Sequence, residues 1–352
     1  MKTVGIFIGP CYMKWDENTV KNGMGGSETW AHEVAAGLSR AGYEVTMYAY
    51  PEEDHDPMPN YHLVSYEKYD SDIRTKRFDY FIYSRFTGAI SPYLKCDNVY
   101  LMVHDVCLVT PQQFPSYIGL GRIKKYCYLS DWHKQNLLNL YSQYGLNENM
   151  LTKVTNGYSK DYYKDIKLNE KINGMVWSSS LLRGFDVFYE HVFLPLLYEF
   201  PDLKLFVCTG TLQEVDKFML LNSKFLPGVE ICEKLPKEQL AEVQRVSKFW
   251  VYPGTFPETF CITAVENAAA GNVIISPLSY GLSTTLNKID YLKDADLPIM
   301  DEKNADKFKD MVRNILTNDE LRLEYANQCL KQAEEYSWDR AAEDFIKLFN
   351  EE

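Results

Sequence analysis

Long apolar runs are missing from this chain. No stretch approaches the roughly 20 residues that cross a bilayer, and the first residues lack the basic, apolar, then small-residue layout of a secretory signal. A cytoplasmic location is the expectation. Paired cysteines are missing too. Cys11, Cys96, Cys107, Cys127, Cys208, Cys232, Cys261 and Cys329 include no Cys-x-x-Cys, and most stand in apolar stretches. The cysteines are therefore expected to be reduced, buried, small apolar residues. The six histidines show no metal-ligand spacing, so no zinc site is assigned.

Positive charge is in deficit: 37 Lys and Arg against 49 Asp and Glu give a net charge of −12. That balance opposes non-specific attraction to nucleic acid or to an anionic membrane. Two basic clusters, Arg122 with Lys124 and Lys125, and Arg74 with Lys76 and Arg77, read as solvated charged faces. Neither nucleic acid nor stable membrane binding is expected. Low-complexity tracts and short repeats are absent. No Gly-x-Gly-x-x-Gly follows an apolar run, which speaks against a nicotinamide-dependent dehydrogenase.

What is present is an alternation of short β-rich runs with helical patterns over 352 residues, enough for about two domains. The first half offers Val4 to Ile8, Val45 to Tyr48, Tyr80 to Tyr83, Val99 to Val103 and Tyr126 to Leu129. The second offers Met175 to Trp177, Leu205 to Cys208, Val229 to Cys232, Phe249 to Tyr252 and Val273 to Ser276. Near-continuous apolar runs suit strands covered on both faces, so the fold class is α/β, with two doubly wound parallel sheets. The expected division is a first domain over 1–157, a polar linker over 158–173, a second domain over 174–336 and a closing segment over 337–352. In the last, Ala341, Ala342, Phe345, Ile346 and Phe349 fall at helical spacing.

In open α/β sheets ligands bind beyond the carboxyl ends of strands, so the loops after these runs carry the candidates. The loop Gly9 to Met24 ends in Gly25-Gly26-Ser27-Glu28, with Ser27 expected to cap the helix that follows. Adjacent glycines let a phosphate or sugar approach the backbone. His104 and Asp105 follow the strand Val99 to Val103, with Asp105 expected to orient His104. Arg183 precedes Gly184 in the loop after Met175 to Trp177, as a fixed cation for a departing phosphate.

Glu258 and Glu266 flank the passage from the strand Phe249 to Tyr252 into an alanine-rich helix stopped by Gly271. There, helix amides suit a diphosphate and ionised carboxylates suit a vicinal diol. Phe260, Cys261 and Ile262 lend their amides, and Lys234, Leu235 and Pro236 are candidates for a base pocket. Asp70-Ser71-Asp72 matches a metal-diphosphate pattern but sits in a polar stretch and reads as a solvated loop.

Taken in order, these segments resemble retaining glycosyltransferases built from two facing nucleotide-binding domains, glycosyltransferase family four in particular. The resemblance is carried by Gly25-Gly26-Ser27-Glu28, His104-Asp105, Asn156-Gly157, the stretch from Ser178 to Gly184, the Glu-x7-Glu pair Glu258 and Glu266, and Tyr336-Ser337-Trp338-Asp339-Arg340. It implies a B-type fold of two Rossmann-like domains, with the acceptor on the first, the donor on the second, and a last helix returning to the first.

It further implies that His104 lies beside the donor sugar, Glu258 contacts the donor hexose and Glu266 binds the ribose diol. The expected activity is metal-independent transfer of a hexose, with retention, from GDP-mannose or UDP-glucose to a hydroxyl of a glycan or other acceptor, by a cytoplasmic enzyme without cofactor. A homodimer is left open. The chain departs from the family pattern at Ser178, where an arginine belongs, at Arg183, in place of lysine, and at Cys261, in place of glycine. These departures motivate one alternative, a weakly active sugar-nucleotide or glycan-binding protein; a sugar-nucleotide epimerase is another.

Overall fold

The computed structural model describes residues 1–117, 121–208, 228–232 and 235–351. They divide into two compact units, Met1–Gly157 with Ser337–Glu352, and Tyr158–Tyr336.

The first unit holds strands β1 (Thr3–Phe7), β2 (Glu44–Ala49), β3 (His55–Met58), β4 (Tyr61–Ser65), β5 (Tyr80–Ser84), β6 (Asn98–Met102), β7 (Lys125–Tyr128) and β8 (Leu151–Lys153). Their order in the sheet is β3-β4-β2-β1-β5-β6-β7-β8, and every pairing is parallel except β3 with β4. The runs legible in the sequence form the middle of this sheet because both of their faces are covered. β3, β4 and β8 escape such a reading: they are short, partly exposed and polar, and Pro57 confines β3 to the edge.

One face of the sheet packs an aromatic core of Phe7, Tyr48, Tyr69, Phe78, Phe81 and Tyr83. Helix Tyr69–Thr75 contributes to it and contains Asp70, Ser71 and Asp72, so these residues are helical, not loop. Asp72 accepts from the Tyr48 hydroxyl at 3.0 Å and from Lys76 at 2.8 Å. The apolar face of this helix, Tyr69 and Ile73, is what the polar stretch concealed.

Helix Trp338–Asn350 packs on helix Gly26–Arg40 within the first unit. Phe345 meets Trp30, and Phe349 stacks on Tyr80 with ring centroids 4.0 Å apart. Asp344 accepts from the backbone and hydroxyl of Thr155 at 2.9 and 3.0 Å. The approach is so close that a Cβ on Gly157 would stand 2.2 Å from the carbonyl carbon of Ser337.

The second unit holds β9 (Ile172–Trp177), β10 (Lys204–Cys208), β11 (Val229–Cys232), β12 (Ser247–Val251) and β13 (Val273–Ile275), all parallel, in the order β11-β10-β9-β12-β13. The polar stretch before β9 is not slack. It forms short turns at Lys160–Tyr163 and Leu168–Glu170, and buried Lys171 donates at 2.8 Å to the carbonyls of Arg245 and Ser247 and to Asn272. The cysteines also differ from expectation: Cys107 is exposed and Cys11 and Cys232 are half-buried, although all eight are free thiols. No described helix is long and apolar enough to cross a membrane.

Candidate functional site

In the second sheet the chain runs from β9 out to β10 and β11, then returns to β12 and β13 on the other side. Connections therefore leave β9 and β12 in opposite directions, which opens a crevice beyond their carboxyl ends. The loops there are Ser178 to Gly184 and Pro253 to Cys261. Gly184 locks them together: it sits at φ +93°, and a Cβ on it would come 2.7 Å from Thr255 Oγ1, whose hydroxyl donates to the Arg183 carbonyl at 3.0 Å. Ser180 caps the turn Leu181–Arg183.

Held this way, Arg183 donates through Nη1 to Glu258 Oε1 at 2.5 Å and lies over the Phe256 ring at 4.2 Å. Glu258 is only 6% exposed, and the same oxygen accepts from the Tyr252 hydroxyl at 2.7 Å. Burial disfavours the Arg183 charge, but the neighbouring Glu258 carboxylate outweighs it and raises the guanidinium pKa. Burial, then Glu258, pushes the Tyr252 phenol up, so it remains a donor. Behind them the Gly281 amide donates to the Glu258 carbonyl at 2.8 Å. Ser178 lies in the same loop, its hydroxyl buried without a partner among the described residues.

Cys261 is the N-cap of helix Ile262–Ala269 and takes the left-handed conformation, φ +76°, that glycine adopts without strain. The cysteine thus holds a backbone turn open to glycine at no cost, with its thiol buried. The leading amides of this helix have no intrahelical acceptor by construction, which makes its start suited to an anion. Phe260 is buried and its carbonyl accepts from Thr285. Glu266 stands on the second turn, half-buried; burial raises its pKa, opposed by Lys237. Leu235 is half-buried just before helix Lys237–Val246, and Lys234 lies outside the described residues.

The first sheet has the same topology at β1 and β5, from which β2 and β6 extend in opposite directions. Gly25, not Ser27, is the N-cap of helix Gly26–Arg40. The Glu28 carboxylate folds back over it, 2.5 Å from where a Cβ would stand. Ser27 is released from capping: its hydroxyl donates to Glu28 at 3.0 Å and accepts from Arg85 Nη1 at 3.0 Å. Arg85, directly after β5 at φ +66°, also grips the Asp105 carboxylate with Nε at 2.8 Å and Nη2 at 3.1 Å. The carboxylate of Asp105 is thus engaged by Arg85.

His104 packs edge-on against Trp30 and its Nε2 is 3.1 Å from Ser84 Oγ. Burial, with help from Arg85 and His133, lowers its pKa to about 3, so the ring is neutral at ordinary pH. Among the described residues no three His, Cys, Asp or Glu side chains gather as metal ligands would.

Neither a protein-family model nor a curated protein matches the sequence. Solved structures do. Sucrose-phosphate synthase from Thermosynechococcus elongatus superposes with a TM-score of 0.72 at 12% identity, covering 100% of this chain and 99% of its own. A glycosyltransferase from Rickettsia africae gives 0.69 at 14%, covering 99% and 98%. WaaG, a glycosyltransferase involved in lipopolysaccharide biosynthesis, gives 0.67 at 15%, covering 98% and 99%. The fold is the B-type glycosyltransferase fold.

Within this GT-B chain the structure brings Arg183 and Glu258 into contact; Ser178 stands in the loop of Arg183, Phe260 and Cys261 in that of Glu258, and Ile262 and Glu266 on the helix that follows. In the first unit Ser27, in the first turn of the helix whose N-cap is Gly25, is joined to Asp105 through Arg85, which lies outside the motifs singled out in the sequence. Its signal is positional: a cation two residues beyond the apolar run Tyr80 to Tyr83. Tyr252 was read only as strand, and His133, wholly buried on helix Asp131–Tyr141, gave no signal.

Proposed function

We propose that this GT-B chain transfers a hexose from a nucleotide-diphosphate sugar, GDP-mannose or UDP-glucose, to a hydroxyl acceptor, with retention and without a metal ion. The observation that carries the reading is the contact of Arg183 with Glu258 at the strand switch of the second sheet, beside the start of helix Ile262–Ala269. Arg183 and the leading amides of that helix supply fixed positive potential where negative charge grows on the leaving diphosphate; removing one such donor typically costs about 10²–10³ in turnover. Glu258, kept in place by Tyr252 and Gly281, accepts from donor hydroxyls. Glu266 accepts from the ribose diol when ionised. Neutral His104 donates to, or accepts from, a sugar hydroxyl, and Ser27, Glu28 and Asp105 face the acceptor.

Donor binding must compete for Arg183 with Glu258. That competition, together with the uncharged Ser178 hydroxyl where the family pattern that the chain resembles has an arginine, also favours a second reading, a protein that binds sugar nucleotides and turns them over slowly. Labelled UDP- and GDP-hexoses incubated with neutral sugars and glycans, with and without chelator, decide between them. Transfer that survives chelation and gives a product of the donor's anomeric configuration is expected. Saturable binding with neither transfer nor donor hydrolysis would support the second reading. Inversion or chelator sensitivity would contradict the stated mechanism.

A further inference from the structure

Cys208 and Cys232 end the neighbouring parallel strands β10 and β11 and are register partners, so their side chains leave the sheet side by side on one face. Neighbouring strands lie about 4.8 Å apart, inside the Cα separation of roughly 4.4–6.8 Å that a disulfide spans. We propose that Cys208 and Cys232 are a reversible thiol–disulfide site, oxidised by exchange with a small disulfide such as oxidised glutathione.

The two thiols differ in a way that assigns their roles. Cys208 is buried and Cys232 is half-buried. A hydrogen bond from the Cys208 thiol lowers the Cys232 pKa, while the same bond and burial raise that of Cys208. Cys232 is therefore the attacking thiolate, since the more accessible and more acidic thiol reacts first.

Its sulfur attacks one sulfur of glutathione disulfide, expels a glutathione thiolate and becomes a mixed disulfide. Cys208 then loses its proton to solvent or to that thiolate, attacks the Cys232 sulfur and expels the second glutathione thiolate. Two protein thiols and one glutathione disulfide become one protein disulfide and two glutathiones, with two electrons passing to glutathione. The bridge joins adjacent residues of a formed sheet and so needs no unfolding. It sits on the carboxyl edge of the sheet that also carries Arg183 and Glu258, on the far side of β9 from β12.

The test is peptide mapping of the intact protein after equilibration across glutathione ratios, with free thiols alkylated first. Exposed Cys107 in the other unit reports that oxidant was active, by becoming a mixed disulfide. The expected result is a Cys208–Cys232 linked peptide, both thiols disappearing together and both returning with dithiothreitol. In Cys208→Ser, Cys232 should stop at the glutathione adduct. In Cys232→Ser, Cys208 should stay alkylatable. Cys208 and Cys232 still fully alkylatable in the wild type once Cys107 is modified, or an unresolved adduct on wild-type Cys232, would overturn the proposal without reference to either variant's folding or to the proposed function.

Discussion

His133 shows how one buried side chain joins the loops of the first unit. Its Nδ1 accepts from the Leu129 amide at 3.3 Å and its Nε2–H donates to the Asp105 carbonyl at 3.1 Å, so it ties the end of β7 to the loop bearing His104 and Asp105. Burial lowers its pKa to about 4, only partly offset by the Asp105 carbonyl. Below pH 6.5 the unfolded chain takes up a proton that the folded one refuses, so stability falls as pH drops from 6.5 towards 4. The loss from this group is on the order of 3 kcal/mol at the lower limit. Urea unfolding at pH 7 and pH 4.5 should show a smaller drop for His133→Asn than for the wild type, since the variant has nothing to titrate there. Equal drops would remove the assignment. The same scale explains why Glu258 needs Arg183: its carboxylate is enclosed and would be a costly buried charge without the guanidinium, which itself stays partly open to solvent.

Among the elements, the closing helix Trp338–Asn350 depends on a glycine with no room to grow. A methyl at Gly157 would meet the Ser337 and Trp338 backbones at 2.2 to 2.5 Å, atoms that no side-chain rotation can move aside. Gly157→Ala should cost more than ~2 kcal/mol in chemical denaturation, within the range of severe steric changes. A loss below ~0.5 kcal/mol, typical of a surface substitution, would show that the helix does not sit as described.

Strands and the amphipathic closing helix were legible because burial on both faces or on one stripe leaves a periodic apolar record, as in Tyr80 to Tyr83 and in Ala341, Phe345 and Phe349. What escaped depends on side chains whose meaning is set by distant partners. Arg85 matters through Ser27 and Asp105, Tyr252 through Glu258, and Lys171 through carbonyls more than 70 residues away. Helix Tyr69–Thr75 escaped because only Tyr69 and Ile73 of its seven residues are buried.

At the scale of the whole molecule, two doubly wound sheets each present a switch point, and each switch point carries an arginine held by a carboxylate: Arg85 with Asp105, and Arg183 with Glu258. The pairs differ in burial, since Asp105 is about half exposed whereas Glu258 is enclosed. Burial strengthens electrostatic recognition, so under the proposed function the anionic diphosphate goes to the second unit and the wetter first pair is left for hydroxyl-rich acceptor groups. The assignment is tested by thermal unfolding of the wild type and of Glu258→Gln/Glu266→Gln against UDP, GDP, ADP and their sugars. A ligand at 100 times its dissociation constant stabilises by about 2.7 kcal/mol. The account predicts a saturable rise in melting temperature with one base's sugar nucleotide in the wild type and its loss in the double variant. No rise with any of them, or an equal rise in both proteins, would contradict it.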